Sequence, residues 1–148
     1  FYIENITPEF ILADSPEKIP FTQKDLQAAK EKLGTKDKPE LVTIGCPHAS
    51  LEEIKSVADF VKGKTLACQL WVCTANETKQ KADAEGYTNI IEQSGGHVVA
   101  DTCMVVCPIE QMGYKTTGSN SGKAAKYLPS FCKQKVSFGD LEELLQFK

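Results

Sequence analysis

Apolar and polar residues alternate in blocks along most of this chain. From residue 41 onward, short apolar runs rich in Val, Ile and Thr are followed by stretches whose apolar positions repeat with a helical period. This alternation is typical of strand and helix units repeated around a mainly parallel sheet, with helices on both faces in a three-layer α/β/α architecture. The predicted strands span residues 41–45, 65–74, 97–102, 114–119 and 135–138.

The helices predicted between these strands have recognisable ends. Ser50 and Glu53 have the spacing of a capping box, and Gly63 closes the helix that they open. We expect Pro129 to end the helix that begins near residue 121, because proline cannot continue a regular helix. The remaining predicted helices of this region span residues 76–86, 88–96 and 140–147.

The first forty residues differ from the rest. They contain a proline-punctuated lead-in, a helix predicted over residues 22–34 and a polar linker at residues 35–40. We therefore divide the chain into an N-terminal segment, residues 1–40, and an α/β domain, residues 41–148. The chain begins without Met, and we expect it to be a fragment of a longer polypeptide.

Composition narrows the functional classes. With 148 residues, 41% of them hydrophobic, and a formal net charge of -3, the chain fits a globular protein better than a disordered or membrane-spanning one. It carries no basic footprint for nucleic acid or for an anionic membrane, so we expect neither as a partner. The six cysteines occur in a chain with enough apolar segments to fold without disulfides, which indicates a reducing compartment, the cytoplasm.

Candidate reactive residues lie where the predicted strands end. In parallel sheets, the loops that follow the strands share the carboxyl edge, where ligands collect. Cys46 and His48 follow the first strand, Cys103 follows the third, and Asn120 and Ser121 follow the fourth. Separate segments are therefore expected to bring reactive side chains to one rim.

The cysteines fall into two groups. Cys68 and Cys73 lie in one predicted strand, and we expect them to be packing residues that point to opposite faces. Cys46, Cys103 and Cys132 each lie at a predicted break between elements, although each alone fits a structural role equally well. Three dispersed thiolates suit an iron-sulfur cluster with one open iron better than structural zinc, which favours other spacings, or a Cys-x-x-Cys redox pair.

Three ordered blocks carry a more specific signal: "GCPHASLEEI" at residues 45–54, "ADTCMVVCPIE" at 100–110 and "TGSNSGKAAKYLPSFC" at 117–132. In this order and separation they resemble the carboxyl-terminal part of the large subunit of the aconitase X family of iron-sulfur hydro-lyases. The resemblance implies an aconitase-type α/β domain and a cluster, expected to be 4Fe-4S, held by three cysteines. The matching positions are Cys46, Cys103 and Cys132.

The resemblance also implies a reaction and a partner. Members of the family dehydrate mevalonate 5-phosphate in archaeal isoprenoid synthesis or cis-3-hydroxy-L-proline in bacteria; we expect the first, with the second as the alternative. A small swivelling subunit is the implied partner, and we expect the general base to lie on it. Cys107, for which a core or loop role is expected, stands where the family often has alanine, and Lys133 stands where it has glycine.

Further residues have candidate roles in such a reaction. His48 is suited to donate a proton to the departing hydroxyl or to orient a carboxylate, and a purely hydrogen-bonding role fits it equally. Asn120, Ser121 and Lys123 lie at a predicted helix start, whose free amide donors attract anions, and with the resemblance we expect them to bind a small anionic substrate. Two other hypotheses are a non-catalytic metal-binding or redox-responsive module and a plain α/β interaction domain.

Overall fold

A parallel sheet forms the centre of the protein. The computed structural model describes residues 3, 6–8, 17–35 and 37–148. Within them the sheet has five strands in the order β3-β2-β1-β4-β5, and all neighbours are parallel. The strands are β1 (Leu41–Ile44), β2 (Gln69–Thr74), β3 (Gly96–Ala100), β4 (Thr116–Ser119) and β5 (Lys135–Phe138).

Helices cover both faces of this sheet, which confirms the expected three-layer α/β/α architecture. The helices are α1 (Gln23–Leu33), α2 (Leu51–Val61), α3 (Asn76–Ala84), α4 (Tyr87–Gln93), α5 (Gly122–Cys132) and α6 (Leu141–Leu144). Helices α2, α3, α4 and α6 contribute to the core of one face, which we call the α2 face. Helix α5 and the segment between β3 and β4 build the core of the other, the α5 face.

Side-chain alternation along the strands divides the core between the two faces. In β1 every residue is buried; Leu41 belongs to the α5 face and Val42 to the α2 face. An uninterrupted apolar strand is expected in the middle of a parallel sheet that is covered on both sides. The two cysteines predicted to point to opposite faces do so, since Cys68 packs against the α2 face and Cys73 against the α5 face.

Helix α5 is longer than the sequence predicted. It continues through Pro129 to Cys132, so the prediction that proline ends this helix was wrong. Proline removes only one N–H donor from the helical ladder, and the buried side chains of Leu128 and Cys132 hold the last turn against the core of the α5 face. Cys132 therefore lies in the last turn of a helix rather than in a break between elements. Lys133 then ends the helix in a left-handed conformation.

Helix α1 lies at the edge of the sheet that β5 forms. Helix α1 falls within its predicted range and begins with a capping box formed by Thr22 and Asp25, but none of its residues is buried. Of the predicted lead-in, residues 1–2, 4–5 and 9–16 lie outside the described residues. In the part of the chain that the structure describes, no helix combines the length and apolar character needed to cross a membrane.

The strand order places a topological switch point between β1 and β4. The chain leaves β1 for α2 on one face and leaves the neighbouring β4 for α5 on the other. A crevice opens where two such loops diverge at the carboxyl edge, and ligands of open parallel sheets bind there. Residues 45–50 follow β1 and residues 119–122 join β4 to α5, so this rule places the expected crevice between these two segments.

Candidate functional site

The joint between β1 and α2 is fixed to the end of β2. Gly45 has a φ of 97°, and a Cβ there would lie 2.0 Å from the carbonyl oxygen of Cys73. The same oxygen accepts a hydrogen bond from the Ala49 amide at 2.8 Å, and the Thr74 hydroxyl donates to the Ala49 carbonyl at 2.6 Å. Only glycine allows this close approach, so the short turn that carries Cys46 is held against the neighbouring strand.

The segment after β3 is anchored by Asp101, a residue that the sequence reasoning missed. Asp101 has a φ of 55°, its amide donates to the Thr74 carbonyl at 2.9 Å, and its Oδ1 accepts from the Asn76 amide at 2.9 Å. Helix α3 has no capping side chain of its own at Ala75. Asp101 thus supplies that cap from another strand and fixes the start of the segment that carries Cys103. The absence of a capping side chain at Ala75 was the one sequence signal that a residue from another segment caps α3.

His48 connects the two loops. Its Nε2 lies 2.9 Å from the carbonyl oxygen of Thr102. Since a carbonyl oxygen only accepts, Nε2 must carry the hydrogen and donate it. The Thr102 hydroxyl in turn lies 3.5 Å from the Sγ of Cys107. In this arrangement Nδ1 is the ring nitrogen left to meet a ligand.

Ser121 joins the other side of the crevice to Cys46. Its hydroxyl donates to the Cys46 carbonyl oxygen at 2.5 Å and accepts from the Ala124 amide at 3.2 Å as the N-cap of α5. Its amide donates to the Ser119 hydroxyl at 3.3 Å. The hydroxyl expected to contact a substrate therefore already links the start of α5 to the turn that carries the first candidate thiol.

The three cysteines predicted as ligands pack against the same core, that of the α5 face. Cys46 and Cys103 are half-buried, and Cys132 is 3% exposed. The Sγ of Cys132 lies 3.4 Å from the carbonyl oxygen of Val105 and 3.7 Å from that of Met104, in the turn that follows Cys103. The structure thus gathers the three thiols on one side of the sheet, although they are distant in sequence.

The thiols are not arranged as a finished metal site. In residues 3, 6–8, 17–35 and 37–148, no three His, Cys, Asp or Glu side chains stand close enough together to hold a metal ion. All six cysteines are free. The donor set nevertheless fits iron, since soft thiolates are the usual protein ligands of iron-sulfur clusters. The assignment of Cys46, Cys103 and Cys132 as its ligands stays a prediction.

Burial raises the pKa of two thiols on the α5 face. The pKa of Cys73 is raised to about 12, mainly by burial and to a smaller extent by the nearby sulfurs of Cys107, Cys103 and Cys46. Burial also raises the pKa of Cys132, with smaller contributions from the Glu110 carboxylate and from the neighbouring thiols. Because several of these thiols raise one another's pKa, their sulfur atoms lie near one another on the α5 face.

Glu110 is a second residue that the sequence reasoning missed. Its Oε1 lies 3.3 Å from the Nζ of Lys133, in the residue after Cys132. Its Oε2 is buried and has no hydrogen-bond partner among the described residues. A buried carboxylate oxygen without a donor is unfavourable, so this atom marks a place where a ligand or water would be stabilised. Nothing in the sequence distinguished this glutamate from others.

Asn120 and Lys123 are exposed at the start of α5. Asn120 lines a surface depression of about 470 Å³ with residues of α2 and α6, including Phe60 and Leu141. Lys123 lies exposed in the first turn of α5. Among the described residues, Ser121 is the one predicted substrate contact whose side chain is hydrogen-bonded to a turn that carries a candidate thiol.

Comparisons with known proteins point to one family. The family model described as aconitase X third domain matches residues 39–148. A phosphomevalonate dehydratase large subunit from Methanocaldococcus jannaschii is 52% identical over 99% of this chain and 38% of its own length. A cis-3-hydroxy-L-proline dehydratase from Pseudomonas aeruginosa is 29% identical over 69% of this chain and 18% of its own length.

A solved structure shows the same fold. The crystal structure of Thermococcus kodakaraensis aconitase X in its holo-form superposes with a TM-score of 0.81 at 38% sequence identity. The match covers 88% of this chain and 34% of that chain. This chain therefore spans 38% of the length of the large subunit from Methanocaldococcus jannaschii and 34% of the aconitase X chain.

Proposed function

Since this chain belongs to the aconitase X family, we propose that it is part of the large subunit of an iron-sulfur hydro-lyase that dehydrates mevalonate 5-phosphate. The observation that carries this proposal is the 52% identity, over 99% of the chain, to a protein named phosphomevalonate dehydratase large subunit. The similarity to the hydroxyproline dehydratase is lower, at 29% over 69% of the chain. The first substrate is therefore favoured over the alternative.

The proposed reaction removes a proton next to a carboxylate and expels hydroxide from the adjacent carbon. Both are difficult in water, because the proton is weakly acidic and hydroxide is a poor leaving group. An iron with an open coordination position would supply Lewis-acid polarisation of the leaving oxygen. The proposed ligands are Cys46, Cys103 and Cys132, and a 4Fe-4S cluster with three cysteine ligands is the form that leaves one iron open.

The proposed role of His48 depends on one ring nitrogen. Since Nε2 donates to the Thr102 carbonyl, that role belongs to Nδ1, and only the doubly protonated imidazolium can give a proton from Nδ1 to the departing hydroxyl or donate to the carboxylate. The hydrogen bond fixes the ring plane, so a substrate in the crevice would meet a preoriented imidazole. The same bond also ties the loop that carries Cys46 to the segment that carries Cys103.

Asn120, Ser121 and Lys123 are the proposed contacts for the anionic groups of the substrate. They lie at the start of α5, an 11-residue helix whose first amide groups attract negative charge. Lys123 would add a full positive charge. The Ser121 hydroxyl would contribute by holding the N-terminus of α5 beside Cys46, since its single donor hydrogen is already given to the Cys46 carbonyl.

The remaining parts of the enzyme are proposed to come from outside this chain. Several relatives are named large subunits, which implies a small subunit. We place the swivelling domain and the general base on that partner. The cytoplasm is the proposed compartment, and six free thiols are consistent with reducing conditions.

The decisive experiment uses the complete large subunit assembled with its small partner under anaerobic conditions. Turnover of mevalonate 5-phosphate is the expected result, with visible absorption from bound iron and an electron spin resonance signal after chemical reduction of the cluster. Turnover of cis-3-hydroxy-L-proline instead would replace the substrate. Iron binding without turnover of either compound would favour the metal-binding or redox module, and neither binding nor turnover would favour the interaction domain.

The ligand assignment has a matched control. Alanine at Cys46, Cys103 or Cys132 should abolish iron binding, whereas Cys68→Ala, which removes a half-buried thiol from the α2 face, should not. Full iron content in the three cysteine variants would refute the ligand assignment.

For the substrate contacts, Lys123→Ala should raise KM for the phosphorylated substrate. Lys126→Ala, which removes an exposed lysine one turn further along α5, should leave KM unchanged.

A further inference from the structure

Gln134 is a buried amide with every hydrogen-bonding group engaged. Its side chain is 3% exposed and lies just beyond the left-handed end of α5. The Nε2 donates to the carbonyl oxygen of Tyr114 at 2.8 Å and to that of Cys132 at 3.0 Å, and Oε1 accepts from the Thr117 hydroxyl at 2.9 Å. A fully satisfied amide in a dry environment is held in one orientation.

The two hydrogens of Nε2 go to the two segments that carry candidate thiols. Tyr114 lies near the end of the segment between β3 and β4, on which Cys103 lies. Cys132 is the last residue of α5, and its carbonyl is one of those that a helix leaves without an internal partner. The hydroxyl of Thr117, fully buried on β4, decides which end of the amide faces these carbonyls.

No other residue type provides this combination at the same size. Two carbonyl oxygens need two donors in one plane, and a hydroxyl donor needs an acceptor beside them. Glutamate would place an acceptor against two acceptors, and methionine would leave all three groups without a strong partner. The pattern therefore selects an amide, although nothing in the sequence around residue 134 indicates it.

We propose that Gln134 is a positioning residue of the cluster site, which holds the Cys132 end of α5 in register with the segment that carries Cys103. This inference rests on the proposed function, because a cluster needs those two thiols at a fixed separation. Residues that orient metal ligands without touching the metal commonly change the metal affinity by about 10- to 100-fold when they are replaced. Gln134 acts through the backbone of Cys132 and does not itself touch iron or substrate.

The test compares Gln134→Met with Ile91→Ala in the complete large subunit assembled with its partner. Ile91 is fully buried in the core of the α2 face, away from the core that the two thiol-bearing segments share. Its replacement should therefore lower the stability of the protein without changing the surroundings of either thiol. Three readouts are needed: the unfolding midpoint, the iron bound after anaerobic reconstitution, and the rate at which iodoacetamide labels Cys132 relative to Cys68 in the metal-free enzyme. Mass spectrometry of peptides separates the two cysteines.

Gln134→Met is expected to lower the affinity for iron by about tenfold or more, as loss of an orienting residue typically does. Labelling of Cys132 should rise in the same variant, whereas Ile91→Ala should change neither quantity at a comparable unfolding midpoint. Gln134→Glu should behave like Gln134→Met, because it retains the size but not the donors. Equal iron binding and labelling in the Gln134 and Ile91 variants would overturn the proposal.

A milder variant covers the case in which Gln134→Met does not fold. Thr117→Val removes only the bond that orients the amide, and it should raise Cys132 labelling by a smaller factor. Unchanged labelling in Thr117→Val would then overturn the inference. If the unaltered enzyme binds no iron, the proposed function fails, and the labelling rates alone decide whether Gln134 holds Cys132 in place.

Discussion

Replacing Ser121 with alanine should destabilise the protein more than loss of an ordinary helix cap. Two interactions disappear together: the N-cap bond from the Ala124 amide at 3.2 Å and the hydrogen bond to the Cys46 carbonyl at 2.5 Å. The cap contributes about 1 kcal/mol. The second bond, half-buried and between segments 75 residues apart, contributes about 1 kcal/mol more. We therefore expect Ser121→Ala to lower the free energy of unfolding by about 2 kcal/mol.

Ser50→Ala is the matched control. Ser50 caps α2, a helix that also has 11 residues, and its hydroxyl accepts from the Glu53 amide at 3.2 Å. It is exposed, and among the described residues its hydroxyl makes no bond to a distant segment comparable to that of Ser121. Its loss should cost about 1 kcal/mol. The difference between the two variants isolates the link between Ser121 and Cys46.

Urea unfolding of the two variants measures this difference. With a slope of about 2 kcal/mol/M, Ser121→Ala should lower the midpoint by about 1 M and Ser50→Ala by about half as much. The slopes themselves should stay unchanged, since neither substitution alters the surface exposed on unfolding. Equal midpoints in the two variants would show that the hydroxyl of Ser121 does not hold the turn that carries Cys46.

Three further outcomes follow from single residues. Lys133→Gly should raise the thermal midpoint, with a gain of about 1 kcal/mol, because Lys133 holds a φ of 50° that glycine adopts without strain. The backbone amides of Lys115 and Thr116 donate to the Glu40 carboxylate and hold its pKa below the usual 4.5. The stability that the ionised carboxylate contributes is full above pH 4.5 and is lost as the pH falls through the lowered pKa. Glu40→Gln should reduce this acid dependence, measured by urea titrations at several pH values. Cys73, buried and with its pKa raised to about 12, should resist iodoacetamide at pH 8 until the protein is unfolded, and mass spectrometry that finds it labelled in the native state would contradict this environment.

Local rules predicted much of the fold because the relevant interactions lie close together in sequence. The capping box of Ser50 and Glu53 needs only three residues, and both of its hydrogen bonds form. Strand β1 is a continuous apolar run, and it became a buried parallel strand. The alternation of strands and helices was enough to indicate the layers, because a parallel connection requires a crossover between neighbouring strands.

The same rules failed where tertiary packing decided the outcome. Pro129 was expected to end α5, yet the helix persists because Leu128 and Cys132 are buried on the same face. Strand β2 begins at Gln69, four residues after its predicted start, and leaves Cys68 outside the ladder. A pattern of apolar residues cannot locate such boundaries, since it does not reveal which residues find a neighbouring strand.

The candidate site was harder to predict than the fold because its contacts join distant segments. His48 meets Thr102, Asp101 caps α3, and Gln134 binds Tyr114 and Cys132. Apart from the missing capping side chain at Ala75, none of these contacts has a sequence signature. The sequence placed the reactive side chains at the carboxyl edge through general topology, but the partner of each side chain depends on how the loops pack there.

The strand order explains how the proposed iron site and the proposed anion site could share one crevice. Because β1 and β4 are neighbours whose helices leave on opposite faces, the turn that carries Cys46 and the start of α5 meet directly, through the bond from Ser121 to the Cys46 carbonyl. A negatively charged group held at the start of α5 would therefore sit beside a thiol-bearing turn without any long connecting structure. With the other strand order, β4 beyond β2, the two segments would be separated by a strand. The proposed pairing of an anion site with an iron site thus follows from topology, and the Ser121 variant tests the bond that joins them.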